Sequence, residues 1–399
     1  MNNYISIFLA VCLAVASGPV QAQAACETTD VAIKSDFESA RLNGCKIAEN
    51  GQIHLKITPE DSPPINPSPW YAFKVVPKSN ASISVLLSYE NGKHRYWPKV
   101  STDGREWAPL PADKIEKIDP ATVRLTLPEM AQPYYVAAQE MITNHVHTAW
   151  IDEMAEKSSF KKSLIGHSEQ KRPIYKIESQ SRNGNHSYLV IVGRQHPPEV
   201  TGALALMPFV ETLMAETPLA TRFRENFGIV VVPVMNPDGV ALGHWRHNTR
   251  GQDLNRDWGP FKHAETQAIK NELERFQVNN SKPKDRLAMF LDFHSTGRNV
   301  LYTQSNEEET YPRDFARKWH NSTSVRFKNY KAERAERPLA NYTPNQAAYN
   351  TSKNYIYRKY GVAAITYEVG DNTDRQALKE AAIIYAEEMM RLMLEELPS

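Results

Sequence analysis

In the N-terminal part of the chain, apolar and polar residues alternate in short bursts at 52–57 (Gln-Ile-His-Leu-Lys-Ile), 70–76, 81–88 and 122–127, separated by clusters of Pro, Gly, Asn and Asp. Period-two alternation sends successive side chains to opposite faces of a strand, so each burst reads as a half-buried strand. Repeated strands with turn residues between them predict an antiparallel β-sandwich, assigned to residues 25–138. Beyond that the period changes. The stretch 140–154 reads as a helix, and the apolar runs at 187–192 and 229–234 read as buried strands. Gly193 breaks the first of these runs before a helical pattern sets in at Val200. Strands and helices go on alternating up to an amphipathic helix at 376–397. This succession predicts, for residues 139–399, an α/β domain with a mixed sheet and helices on both faces.

Composition adds limits. A length of 399 residues exceeds what one core usually organises, and a hydrophobic content of 41% is ample for two. Lys and Arg number 47 against 46 Asp and Glu, a net charge of +1, which leaves no global field to attract nucleic acid. DNA or RNA binding is therefore not expected.

At the N-terminus, residues 5–16 are apolar but too few to span a bilayer. Ala22-Gln-Ala24 follows as a small-x-small cleavage pattern. Residues 1–24 thus read as a secretory signal peptide, and the mature protein as exported, periplasmic or secreted. The segment ahead of the apolar run lacks Lys and Arg, so the α-amino group is its only positive charge. A lipoprotein acylated on Cys26 is the alternative, for which Gln-Ala-Ala is a poor preceding context. Cys12 would leave with the signal. Cys26 and Cys45 remain, and an even count in an exported protein points to a disulfide rather than two free thiols. No later apolar run is long enough to cross a membrane, so no stable insertion is expected after signal cleavage.

Candidate chemistry begins with His196-Pro-Pro-Glu199 and with His294 in Leu-Asp-Phe-His-Ser. Three such ligands would leave the fourth position of a tetrahedral zinc ion open, as metal-assisted hydrolysis requires. The His-x-x-Glu spacing suits a strand-end loop entering a helix rather than one face of a helix. Taken singly, such residues are commonly surface pairs or hydrogen-bonded filler. Their company carries the assignment: Met235-Asn-Pro-Asp-Gly239, then Arg246 and Arg250 ahead of Asp253-Leu-Asn-Arg256, and Glu368 at the end of a strand pattern at 361–371.

In this order, His196/Glu199, Arg246, Asp253-Leu-Asn-Arg256, His294 and Glu368 resemble the M14 family of zinc carboxypeptidases. The strand-rich N-terminal segment resembles the β-domain that precedes the catalytic domain in the cytosolic-carboxypeptidase-like branch. The resemblance implies one zinc ion per chain and a peptide substrate with a free C-terminal carboxylate. It makes Glu368 the general base and acid. Arg246 becomes the stabiliser of the oxyanion, with Arg250 as its rival. Asn255 and Arg256 become the pair that grips the terminal carboxylate. Asp253 corresponds to the carboxylate that orients a ligand histidine, and Asp292 is a second candidate for such work. The family's mobile tyrosine has no ungapped counterpart here; Tyr349 is taken for it, with Tyr355 and Tyr357 competing. Side chains shortly upstream of the catalytic Glu line the pocket for the terminal residue in the family, which brings in Lys353. Inside that pocket its ammonium would favour an acidic C-terminal residue; otherwise it would face solvent.

The reading is thus a zinc metallocarboxypeptidase that hydrolyses C-terminal residues with activated water. N-acyl-amino-acid deacylases share several of the motifs, and export leaves room for a murein peptide amidase. A catalytically dead peptide- or glycan-binding module would use Trp70, Tyr71, Tyr96 and Trp97, residues that otherwise belong to core or interdomain packing. His145 and His147 have a metal-like spacing but read as surface or packing histidines. The charged, Tyr-rich segment 306–345 predicts loops and a helix near the mouth of the site. Its Arg313, Arg326, Lys328, Arg334 and Arg337 form either a basic rim or a solvated face.

Overall fold

A computed structural model of the chain describes residues 25–397, apart from 64, 185 and 277–284. The signal peptide expected at 1–24, with Cys12 and its cleavage pattern, lies outside the described residues.

Between Cys26 and Ala137 the described chain folds into two sheets, one of six strands and one of five. The alternation seen in the sequence sets their faces: Ile53–Ile57 and Ser84–Tyr89 bury every second residue. Ile33, Leu55, Phe73, Val85, Leu87 and Val136 meet between the sheets with no exposure above 1%. One pairing departs from the antiparallel expectation, since Ile53–Ile57 runs parallel to Ser84–Tyr89. Between these two strands the chain crosses to the other sheet as Ala72–Pro77 and returns, and a crossover of this kind brings a strand back in the same direction. The disulfide Cys26–Cys45, with Cα atoms 5.6 Å apart, ties the first strand to Gly44–Ile47 in the opposite sheet. Trp70, Tyr71 and Tyr96 are buried in this core, while Trp97 is 41% exposed with its indole N–H donated to Leu110 O. These aromatics pack the domain and its border rather than form a platform.

The rest of the chain builds an eight-stranded mixed sheet. In spatial order its strands are Lys161–His167, Pro173–Ser179, Phe227–Val232, Ser187–Gly193, Arg286–Thr296, Ala364–Gly370, Val300–Thr303 and Glu333–Glu336. The middle four run parallel, and Phe227–Val232 and Ser187–Gly193 are buried throughout, as parallel strands covered on both faces must be. Val200–Met214, Phe315–Ser324 and Arg375–Glu395 cover one face; Ala264–Leu273 and Ser352–Tyr360 cover the other.

Capping decides where two of the expected helices begin. The one read at 140–154 is Asn144–Lys157, because the Thr143 hydroxyl accepts from Val146 N–H and stops the helix from starting earlier. The final helix is Arg375–Glu395, capped by Asp374, whose side chain accepts from Ala377 N–H. Among the described residues no single helix is long and apolar enough to cross a membrane. His147 is buried and His145 exposed, and they share no metal cluster. Segment 306–345 supplies the helix Phe315–Ser324, and two of its five basic rim residues are absorbed in ion pairs: Arg326 with Glu387 and Glu388, and Arg334 with Glu336.

Candidate active site

Strand register makes the first half of the site. His294 and Glu368 are directly paired in the parallel strands Arg286–Thr296 and Ala364–Gly370, and paired residues share a face of the sheet. His196 and Glu199 lie in the loop that leaves Ser187–Gly193, and Glu199 is the residue just before the helix Val200–Met214. This places the group at the carboxyl ends of the central strands, where open α/β sheets bind their ligands. The helix approaches so closely that a Cβ on Gly202 would stand 2.7 Å from His294 O. Only glycine permits that contact.

His196, Glu199 and His294 converge, with one donor atom from each lying within 4.8 Å of the others, and all three are buried. The Glu199 carboxylate sits between the rings, 2.8 Å from His196 Nδ1 and 2.6 Å from His294 Nδ1. Each imidazole turns its Nε2 outward to a second carboxylate: His196 to Asp253 Oδ1 at 2.9 Å and His294 to Asp292 Oδ2 at 2.9 Å. In neutral rings these partners place the N–H on Nε2 and aim both Nδ1 lone pairs at Glu199. Lone pairs facing a carboxylate at such distances repel unless a cation lies among them. Against burial, Asp292 and Glu199 hold His294 well above its usual range, so without a metal ion the cluster takes up protons that a bound cation would replace. The donor set, two histidine nitrogens and a carboxylate, is one that suits zinc.

Burial alone would raise Glu199, but His196 and His294 outweigh it and hold the carboxyl well below the usual range. Asp253 is likewise held well below its usual range, by His196 and Arg246 against burial. Glu368 behaves in the opposite way. Burial first, and then the Glu199 charge, push it up to about 7, and its Oε2 is buried without a hydrogen-bond partner. A cation at the triad would draw it lower again.

The remaining predicted residues sort by placement. Arg246 lies in the cavity wall with Nε and one Nη each 2.7 Å from Asp253 Oδ2, so a single carboxylate orients both a ligand histidine and this guanidinium. Asn255 Nδ2 is 3.3 Å from His294 Nε2, while Asn255 Oδ1 accepts from Ser352 N–H. Since His294 Nε2 gives its proton to Asp292, it cannot also accept one from Asn255, and that amide N–H is left for a ligand. Arg256 lines the same cavity, with one Nη on Asn255 O at 2.7 Å. Lys353 is inside, 4% exposed, and not in solvent. Its Nζ donates to Arg337 O at 2.9 Å and Asn354 Oδ1 at 2.8 Å, and burial, helped by Arg337 and opposed by Glu308, lowers it to about 8.

Tyr349 is a correction. The Arg358 guanidinium covers its ring at 3.7 Å, and it is not in the cavity wall; Tyr302 and Tyr342 are. Tyr355 packs on Trp258 and Phe261. Of the basic segment, Arg337 reaches the cavity. The sequence reading also missed Asn66, Ser68 and Arg95, which the β-domain contributes to the wall of this cavity of about 350 Å³. Arg95 donates to Asp371 Oδ2 and Ser68 Oγ, both at 2.8 Å. Nothing local in the sequence marks these residues, because they reach the site across a domain border.

Fold and centre together form a mixed α/β sheet that brings two histidines and a glutamate, a donor set fit for a metal ion, to its strand ends, with an unpaired buried glutamate beside them. Residues 147–392 match the family model for zinc carboxypeptidases, peptidase family M14, and the chain belongs to that family. Among curated proteins it is similar to cytosolic carboxypeptidase 6 of Caenorhabditis elegans, 26% identical over 55% of this chain and 46% of the relative. It also resembles cytosolic carboxypeptidase 4 of Mus musculus, 34% identical over 31% of this chain and 11% of the relative. The matches span less than half the length of these relatives. Among solved structures, a metallo-carboxypeptidase from Pseudomonas aeruginosa, in complex with (2-guanidinoethylmercapto)succinic acid, aligns with a TM-score of 0.72 at 21% identity, covering 91% of this chain and 99% of that one. A metallo-carboxypeptidase structure from Burkholderia cenocepacia gives 0.71 at 18%, covering 91% and 98%. At these identities the likeness speaks for the fold, and coverage of this extent takes in the N-terminal sheets.

Metal analysis of purified protein is expected to find close to one zinc per chain. His294→Ala should lose most of it, and Asp253→Asn should weaken binding by about ten- to a hundredfold, as loss of a carboxylate behind a ligand imidazole does. Full retention of zinc by His294→Ala would show the centre to be elsewhere.

Proposed function

We propose that the protein is a zinc metallocarboxypeptidase that removes single residues from the free C-termini of peptides. The observation that carries this is Glu368 Oε2, buried and unpaired beside the His196–Glu199–His294 centre, in a cavity also lined by Arg246, Asn255 and Arg256. His196, Glu199 and His294 would hold the zinc ion, which when bound polarises a carbonyl and acidifies water. The Arg256 fork and the free Asn255 N–H bind the terminal carboxylate and set the chain in register. Arg246, fixed on Asp253, faces the oxygen on which negative charge develops. Glu368 takes a proton from the attacking water and passes it to the departing amine nitrogen, so the peptide bond breaks with the proton count closed. N-acyl-amino-acid deacylase and murein peptide amidase readings call on the same centre and differ in what the cavity grips. The complete donor set and unpaired Glu368 count against an inactive peptide- or glycan-binding module.

Digestion of a peptide library is expected to release one residue at a time from free C-termini and none from amidated ones. Glu368→Gln should keep zinc and melting temperature while turnover falls by roughly 10²- to 10⁴-fold. Activity confined to acyl-amino acids or muropeptides would replace the carboxypeptidase reading with one of its rivals.

Lys353 deepens the substrate assignment. Its buried ammonium, close to Arg337, favours an acidic terminal side chain, since an apolar one would leave the charge uncompensated. Glu- and Asp-ending peptides should therefore be cut ahead of Phe- and Leu-ending ones, and Lys353→Ala should erase the preference while sparing zinc. Lysine is charged below its pKa and neutral above it. The preference should accordingly fade as pH rises through about 8. Aromatic residues released first at pH 7 would rule it out.

Export belongs to the same proposal. The apolar stretch at 5–16 and the cleavage pattern at 22–24 support it, as does a Cys26–Cys45 disulfide, a bond that persists in oxidising compartments. N-terminal sequencing of protein from the native host should begin near residue 25. A chain that keeps Met1 in the cytosolic fraction would count against export.

A further inference from the structure

We propose that Glu60 of the β-domain is a positioning residue for catalysis, holding the loop that carries Arg246 in register with the metal centre. This rests on the carboxypeptidase reading, in which Arg246 faces the developing oxyanion. Three successive backbone N–H groups converge on the Glu60 carboxylate: Arg246 and His247 donate to Oε1 at 2.8 and 2.7 Å, and Trp245 donates to Oε2 at 2.6 Å. Residues 244–248 lie outside any helix or strand, so no ladder pairs these donors. Burial by itself would raise Glu60, but His244 and the backbone donors outweigh it, and the carboxylate stays ionised to receive all three.

The surrounding contacts make the grip continuous. The Trp245 indole is fully buried in the core of the β-domain and donates its N–H to Trp70 O at 3.0 Å. It lies over Gly92, where a Cβ would stand 2.8 Å from the ring. Asp61 Oδ2 is 2.6 Å from His247 Nδ1, and Ser39 binds Val240 O and Ala241 O through its hydroxyl and N–H. The backbone is thus held from one domain while the Arg246 side chain turns to Asp253 in the other. A carboxylate has a reason to be here that packing does not supply. It presents two acceptor oxygens and no donor, whereas glutamine would set an N–H against one of three N–H groups.

The test uses the full chain loaded with zinc, as Glu60→Gln, Arg246→Ala and the double variant. Glu60→Gln should keep one zinc and its melting temperature to within a few degrees. KM should move by no more than about twofold, while kcat falls by about ten- to a hundredfold, the loss expected when a catalytic group is displaced by about 1 Å. In the Arg246→Ala background the same substitution should cost almost nothing further, since it acts through a side chain already removed. Trypsin should also cut after Arg246 faster in Glu60→Gln than in the parent, a readout that needs no turnover. Equal losses of kcat in both backgrounds would make Glu60 a structural residue and overturn the proposal, as would unchanged kcat with an unchanged cleavage rate. If Glu60→Gln does not fold, Glu60→Asp, which keeps both oxygens one methylene shorter, replaces it with the same expectations in milder form. If the parent shows no carboxypeptidase turnover, that reading fails by itself. The tryptic comparison then decides: faster cleavage sustains the anchoring of the Arg246 loop, and unchanged cleavage ends it.

Discussion

Two imidazole lone pairs and a carboxylate meeting within hydrogen-bond distance in a buried site form the arrangement on which the rest of the structure depends. Such a cluster is unfavourable unless protons or a metal ion lie among its atoms, so the fold must hold it together until the ion displaces the protons. Each supporting feature can be read as part of that restraint. The parallel register fixes His294 beside Glu368, the close seating of the helix at Gly202 fixes the backbone behind His294, and Asp253 and Asp292 fix the rotation of the two rings. Asp292 is itself anchored by Gln195 Nε2 at 2.6 Å and by the Ser352 hydroxyl, so the orienting carboxylate is no freer than the ligand it orients. Rigidity at this centre comes from successive layers, each satisfying the polar atoms of the one inside it.

The same logic makes the β-domain part of the site. Its two sheets have a core of their own, yet that core takes in Val200 and Trp245 from the α/β part of the chain. Arg95 of the β-domain pairs with Asp371 just beyond the Glu368 strand. Buried ion pairs across a border are poor sources of net stability, because desolvation offsets most of the attraction. Their use here is geometric: they set where one cavity wall stands relative to the other.

Much of this was legible in one dimension, and the reason is local. A strand that ends at a site residue carries its own signal, as in the apolar runs before His196, His294 and Glu368. A ligand pair three residues apart is readable because one turn of chain positions both. The alternation at 52–57 and 122–127 likewise reports burial residue by residue, and the strands Ile53–Ile57 and Thr122–Thr126 follow it closely. What the pattern could not reveal depends on contacts distant in sequence. The parallel pairing of Ile53–Ile57 with Ser84–Tyr89 is a property of the crossover between them, and neither strand's composition records it. Asn66, Ser68, Arg95 and Glu60 carry no motif; each is an ordinary polar residue until a second domain is placed against it. Tyr349 was misplaced because a tyrosine's sequence position says nothing about whether an arginine four ångströms away will cover it.

Asp253 joins the two halves of the chemistry. One of its oxygens takes the His196 N–H and the other takes Arg246, so in the proposed mechanism the metal ligand and the group facing the developing oxyanion share one carboxylate. A cation held by His196, Glu199 and His294 would strengthen the His196 N–H as a donor to Asp253, the carboxylate that also holds the guanidinium. The loop behind Arg246 is meanwhile tethered to Glu60 in the other domain, so the side chain is held at both ends and its freedom is confined to a small arc. A guanidinium restrained in this way loses little entropy and needs little reorganisation when negative charge appears on a substrate oxygen. In the proposed mechanism, that preorganisation is the contribution this arginine makes.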